Sequence, residues 1–104
     1  MEILNKIYDI VKERAANPQE GSYTNYLLSK GIDKVCKKLG EEATEMVIAA
    51  KNNDKQELIG ECADVFYHAL ALMYIQGVTP DDVAQELENR FGKGGYHGRT
   101  DKPK

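Results

Sequence analysis

Apolar positions recur along this chain with the period of an α-helix and nowhere with the period of a strand. Residues 2–15 place Ile3, Leu4, Ile7, Tyr8 and Val11 on one face. Asn17-Pro18 ends that stretch, because proline lacks an N–H and disfavours helix in the residue before it. Gly21-Ser22-Tyr23-Thr24 reads as a turn in which Ser22 caps a short helix through Leu27, Leu28 and Lys30, punctuated by Gly31. A long helix over 33–51 carries Ile32, Val35, Cys36, Leu39, Ala43, Met46, Val47 and Ala50 at helical spacing, and Asn52-Asn53 ends it. Asp54 and Glu57 form a capping-box-like start for a second long helix running to about Gln76, with Gly77 placed just past its end. Thr79-Pro80-Asp81-Asp82 opens a last helix with a cap, a proline in the first position and acids in the first turn. Leu87 and Phe91 continue its apolar side, and Gly92 stops it.

No segment alternates apolar and polar residues, and no Asn-Gly or Asp-Gly turn joins two β-rich runs. The expected fold class is all-α: an antiparallel helical bundle of about five helices, two of them long and central. The second long helix is apolar nearly all round. One arc carries Leu58, Cys62, Phe66, Leu70 and Met73, flanked by Ala63, Tyr67, Ala71 and Tyr74 on one side and Val65 and Leu72 on the other. Such a helix needs burial on most of its circumference, and 104 residues offer little material for that. The expected cover is a second copy of the chain, giving a homodimer.

Charge divides the chain unevenly. The formal net charge is −3, yet residues 1–91 sum to −6, while 92–104 hold Lys93, Arg99, Lys102 and Lys104 against Asp101 alone. We expect one domain over 1–92 and a flexible basic tail over 93–104. The acidic balance excludes a general nucleic-acid binder. There is no run of 18 apolar residues and no basic patch followed by an apolar core at the N-terminus, so neither a membrane span nor a signal peptide is expected. Cys36 and Cys62 fall outside any metal-finger spacing and read as small buried residues of a protein in the reducing cytoplasm.

The acids have a pattern of their own. At 100° per residue, Glu42 and Glu45 share one edge of the first long helix, with Lys38 between them, and Glu61, Asp64 and His68 share one edge of the second. Antiparallel pairing would bring four carboxylates into one groove, where they repel unless a divalent cation sits among them. Oxygen ligands suit Mg²⁺, which is usually shared with substrate phosphates. The plainer alternative, solvated acids paired with lysines at helical spacing, stays open on spacing alone. Glu41 points further from the core and reads as a surface or supporting acid.

These residues also resemble a known family. Glu-Glu-x-x-Glu at 41–45, followed after 15 residues by Glu-x-x-Asp at 61–64, is similar to the signature of the all-α, MazG-like nucleotide pyrophosphohydrolases. The match covers residues 2–92, and its distinctive parts are Gly21-Ser22-Tyr23-Thr24 and the runs Leu27 to Gly31, Lys37 to Glu45, Val47 to Lys51 and Glu61 to His68; the Ser22-Tyr23-Thr24 turn and the Tyr67-His68 end narrow the resemblance to the phosphoribosyl-ATP pyrophosphatase branch. The cysteines stand where other small or aliphatic residues would be expected, which leaves the motif intact. The resemblance implies Mg²⁺-dependent hydrolysis of 1-(5-phosphoribosyl)-ATP to 1-(5-phosphoribosyl)-AMP and pyrophosphate in histidine biosynthesis, by a homodimer. It implies Glu42, Glu45, Glu61 and Asp64 as metal ligands, with Glu41 in support.

Hydrolysis needs a water in line with the leaving pyrophosphate and a base for its proton, for which Glu45 is the candidate. Lys38, Lys30 and Lys51 are candidates for the phosphates, Lys38 first because it lies on the carboxylate edge; its alternative is a local pair with Glu42. Ser22, Tyr23 and Thr24 could present hydroxyl and N–H groups to a phosphate, or simply cap a helix. His68 reads as a substrate contact or a structural hydrogen-bonder. Two other functions compete: a house-cleaning (deoxy)nucleoside triphosphate pyrophosphohydrolase, and a non-catalytic helical interaction module. In some organisms this branch is fused to the next enzyme of the pathway, a cyclohydrolase; 104 residues leave no room for it, so a stand-alone form is expected. The tail is either a solubilising end or a flap that brings Lys93 or Arg99 over an anionic substrate. Truncation after Gly92 separates these: a raised Michaelis constant indicates the flap, and an unchanged one removes it.

Overall fold

The computed structural model describes residues 1–92. The tail expected over 93–104, with Lys93 and Arg99, lies outside the described residues. Five helices follow in order: α1 (Glu2–Ala16), α2 (Tyr23–Lys30), α3 (Ile32–Lys51), α4 (Lys55–Ile75) and α5 (Pro80–Phe91). There is no strand among the described residues.

Local chemistry sets the ends. The Ser22 hydroxyl accepts from the Asn25 N–H at 3.1 Å, and the Asp54 carboxylate accepts from the Glu57 N–H at 3.1 Å. At α5 the capping box is complete: the Thr79 hydroxyl accepts from the Asp82 N–H, and the Asp82 carboxylate accepts from the Thr79 N–H at 2.9 Å. Each cap satisfies donors that a helix start leaves orphaned and contributes about 1 kcal/mol. Gly77, at φ +73°, takes the left-handed conformation expected past the end of α4. Asn53 does the same, at φ +56°, in the three-residue link that folds α4 back along α3.

Packing centres on α4. It pairs most extensively with α3 and is also contacted by α1 and α2, whereas α5 touches only α1 to any extent. By length and hydropathy α4 could cross a membrane; here it is the helix the others pack around, and it buries Glu61 and His68. The central cluster is Leu27, Val35 and Ala71, with Tyr67, Leu72 and Ile75 packed against it.

Two expectations fail, for one reason. On α3 the buried line is Val35, Glu42 and Ala49, while Cys36, Val47 and Ala50 are exposed. That line sits roughly 80° around the helix from the centre of the apolar stripe, at 100° per residue. On α4 the buried polar residues are Glu61 and His68, while Phe66 from the apolar arc is 42% exposed. α3 is thus rotated so that Glu42 faces inward, and α4 turns Glu61 and His68 inward while still burying Leu70 of its apolar arc. The rotation leaves Cys36 exposed and Cys62 half-buried, so the cysteines are not the buried pair the sequence suggested.

Leu27 is fully buried and joins α2 to α3 and α4. Leu27→Ala should cost roughly 2–5 kcal/mol through lost burial and the cavity left behind. Thermal denaturation would then show a melting temperature lower by about ten degrees or more.

Candidate functional site

The inward rotation of α3 and α4 brings carboxylates from both helices together. Glu42, Glu45 and Glu61 each offer an oxygen, and the three oxygens lie within 4.8 Å of one another. Glu42 and Glu61 are buried, and Glu45 is exposed at the mouth. Glu42 and Glu45 are neighbours because residues three apart share a helix edge; Glu61 faces them from α4. Of the four acids read from the sequence, these three converge. Asp64 is exposed one turn further along α4 and is not in the mutually close set. Glu41 is exposed.

Three carboxylates at this spacing cannot all carry charge comfortably. Glu61 bears the consequence, with its pKa pushed up to about 7. The largest influence is a hydrogen bond with the Glu45 carboxyl; burial and repulsion by Glu45 and Glu42 follow. Its Oε2 is buried with no hydrogen-bond donor. A buried oxygen without a donor is a costly feature of a folded chain, and a cation would satisfy it. One cation from the chain is at hand: the Lys38 ammonium lies 3.8 Å from Glu42 Oε1.

The other residues read from the sequence divide into two groups. Ser22 is the cap of α2. Thr24 is buried, and its hydroxyl is paired with the Tyr67 hydroxyl. His68 is buried, with Nδ1 at 2.8 Å from the Asp64 carbonyl oxygen and Nε2 at 3.0 Å from the Tyr23 hydroxyl. Lys30 is exposed and lies over the Tyr26 ring, 5.7 Å from its centroid. Lys51 is exposed in the last turn of α3, where a cation complements the helix dipole. Partial burial raises the Tyr23 pKa; Lys38 pulls it down, and Tyr67, Glu42 and Tyr26 push it up.

A model of the family described as phosphoribosyl-ATP pyrophosphohydrolase matches residues 4–91, from within the first turn of α1 to the end of α5. The chain belongs to this family. A phosphoribosyl-ATP pyrophosphatase of Clostridium acetobutylicum is 51% identical over 92 residues, which cover 88% of this chain and 84% of that protein. One from Lacticaseibacillus casei is 55% identical over 87 residues, covering 84% and 79%. A histidine biosynthesis bifunctional protein, HisIE, of Caldanaerobacter subterraneus is 54% identical over 93 residues; the match spans 89% of this chain and 45% of that relative's length.

The two stretches on which the narrower resemblance rests, Ser22-Tyr23-Thr24 and Tyr67-His68, prove to be partners. Tyr23 bonds to His68, and Thr24 to Tyr67, so the first turn of α2 is fastened to α4 across more than forty residues of sequence. Two contributors escaped the sequence reading. Tyr67 counted as an apolar flank of α4 and as part of the resemblance, with no polar role, because its partner lies far away in the chain. The Asn25 side chain donates to the Arg14 carbonyl and accepts from the Gln19 N–H, both at 2.8 Å, closing the link between α1 and α2. An Asn beside a Pro- and Gly-containing link is a signal for such a clamp.

The raised Glu61 pKa sets a pH dependence. The folded chain holds a proton that the unfolded chain releases near its ordinary value of 4.5. Between about 4.5 and 7 the folded state therefore binds more protons, and stability falls as pH rises through that window. Thermal melts in a chelating buffer should show this fall in the parent chain and a weaker one in Glu61→Gln.

Proposed function

We propose that this protein hydrolyses 1-(5-phosphoribosyl)-ATP to 1-(5-phosphoribosyl)-AMP and pyrophosphate, with Mg²⁺ as cofactor, in histidine biosynthesis. The observation that carries the reading is the set Glu42, Glu45 and Glu61, with a donorless buried oxygen, in a chain of the phosphoribosyl-ATP pyrophosphohydrolase family. The donor set fits the ion: hard oxygen ligands, with an open exposed side where a phosphate and water can complete the shell. Glu42, Glu45 and Glu61 would hold it, and Asp64 is assigned as the fourth ligand from its place on the same edge of α4. Bound there, Mg²⁺ would neutralise triphosphate oxygens and lower the pKa of bound water.

The chain's own groups have distinct tasks in this reading. Cleavage between the α- and β-phosphates needs a water held in line with the leaving pyrophosphate. Glu45, the exposed member of the three, is assigned the role of taking that water's proton. Glu41 supports the edge on which Glu42 and Glu45 stand. Lys38 is half-buried beside Glu42 and is the cation nearest the phosphates, with Lys30 and Lys51 further out on the surface. Thr24 and His68 act mainly by holding α2 against α4, and Ser22 by capping α2.

The same reading includes a homodimer and a cytoplasmic location. Turning the carboxylate edges inward leaves apolar residues outside: Val47 is 57% exposed, and Ile48 and Ile59 are 53% exposed. A second copy is the cover the proposal assigns to them. The two free thiols accord with a reducing compartment.

Purified protein with Mg²⁺ and phosphoribosyl-ATP should release pyrophosphate. Mutating partners of metal ligands costs about 10–100-fold, so removing a ligand, in Glu42→Gln or Asp64→Asn, should lower the rate by at least roughly the upper figure. Circular dichroism would establish that both variants fold. Release only from ordinary nucleoside triphosphates would identify a house-cleaning pyrophosphohydrolase instead. Release from neither, with no Mg²⁺ binding, would leave a helical interaction module.

A further inference from the structure

His68 and Tyr23 form a hydrogen-bonded chain whose direction is fixed at one end. The Asp64 carbonyl oxygen can only accept, so His68 Nδ1, 2.8 Å away, carries the proton. The imidazole is buried, and its two nitrogens meet a carbonyl and a phenol. In the neutral ring Nε2 is then a bare acceptor, and the Tyr23 hydroxyl, 3.0 Å away, donates to it. The ring itself is kept in place by aromatic neighbours, with Tyr67 edge-on at 5.2 Å and Tyr23 at 5.9 Å between centroids.

The consequence concerns what Tyr23 can bind. Its single hydroxyl proton is committed to His68, so its oxygen offers only lone pairs to the site. A phosphate oxygen also offers only lone pairs at neutral pH, and two acceptors do not bond. Tyr23 is 46% exposed, and its bond to His68, which is bonded in turn to the Asp64 carbonyl, holds its hydroxyl against the edge of α4 that carries Glu61 and Asp64. Of the neighbouring hydroxyls, Ser22 is used as a cap and Thr24 is paired with Tyr67. Among its side-chain hydroxyls, the α2 turn therefore presents an acceptor through Tyr23.

We propose that His68 is a positioning residue whose Nδ1–H tautomer fixes the Tyr23 oxygen as an acceptor for a ribose hydroxyl of the substrate, not as a donor to its phosphates. This rests on the activity proposed above. The substrate's ribose hydroxyls are neutral donors that an acceptor-only oxygen can hold, and a buried bond of this kind discriminates strongly against groups that cannot donate.

Two measurements test it. Long-range proton–nitrogen NMR of the histidine-labelled chain, free of metal and substrate, reads the tautomer; His68 is assigned by the loss of its signals in His68→Asn. The expected pattern is a protonated Nδ1 and a bare Nε2 whose resonance shifts in Tyr23→Phe. A protonated Nε2, alone or with Nδ1, would overturn the proposal. In the kinetic arm, Tyr23→Phe should raise KM for phosphoribosyl-ATP about tenfold, the loss of one hydrogen bond, while the inhibition constant of pyrophosphate with Mg²⁺ stays within about twofold. His68→Asn should raise KM similarly, and the double variant should be no worse than either single one, because both break one chain. Pyrophosphate inhibition weakening in step with KM would show that Tyr23 serves the phosphates and sink the assignment. If the parent chain releases no pyrophosphate from phosphoribosyl-ATP, the activity reading fails by itself, and the NMR arm still decides the role of His68.

Discussion

Like charges held close together are the constraint around which this molecule is organised. The carboxyl oxygens of Glu42, Glu45 and Glu61 lie within 4.8 Å of one another, two of them on buried residues. An isolated pair of helices would relieve that repulsion by rolling the acids outward into water. Here they are prevented from doing so. α4 is gripped by α1 and α2 as well as α3, the link over 52–54 fixes how α3 and α4 meet, and α2 is fastened to α4 through Tyr23 and Thr24. The repulsion is carried as a raised Glu61 pKa and a donorless oxygen rather than released by movement. On the proposed reading, strain of this kind at a cluster of acids is what a bound cation would relieve.

The parts of the fold set by nearest neighbours were legible in the sequence. Ser22, Asp54 and Thr79 cap the helices expected of them, and Gly77 takes the left-handed turn, because each depends on atoms within a few residues. The edge shared by Glu42 and Glu45 was legible for the same reason, since helical spacing alone puts them together. Rotation of each helix about its axis was not. Hydrophobic spacing locates an apolar stripe but does not say which side of it meets the neighbour, so Cys36 and Val47 are exposed where burial was expected. Distant polar pairing was hidden as well: nothing near Tyr67 or His68 in sequence announces a partner in α2. Asp64 marks the boundary between the two cases, on the right edge by periodicity, yet exposed and outside the close set.

Rotation links the site to the rest of the surface. Two amphipathic helices normally meet through their apolar stripes and leave their acids to water. In this pair the meeting faces are offset toward the acids, and the outer faces keep Val47, Ile48, Ile59 and Phe66. One chain cannot have both arrangements at once: turning the apolar stripes inward would spread the carboxylates apart, and gathering the carboxylates turns the stripes out. On the proposed reading a second copy resolves the conflict, because it buries the outward stripes without asking either helix to roll back. Catalysis and assembly would then be two results of a single rotation, and whatever covers those outer faces also holds the carboxylates where a cation can use them.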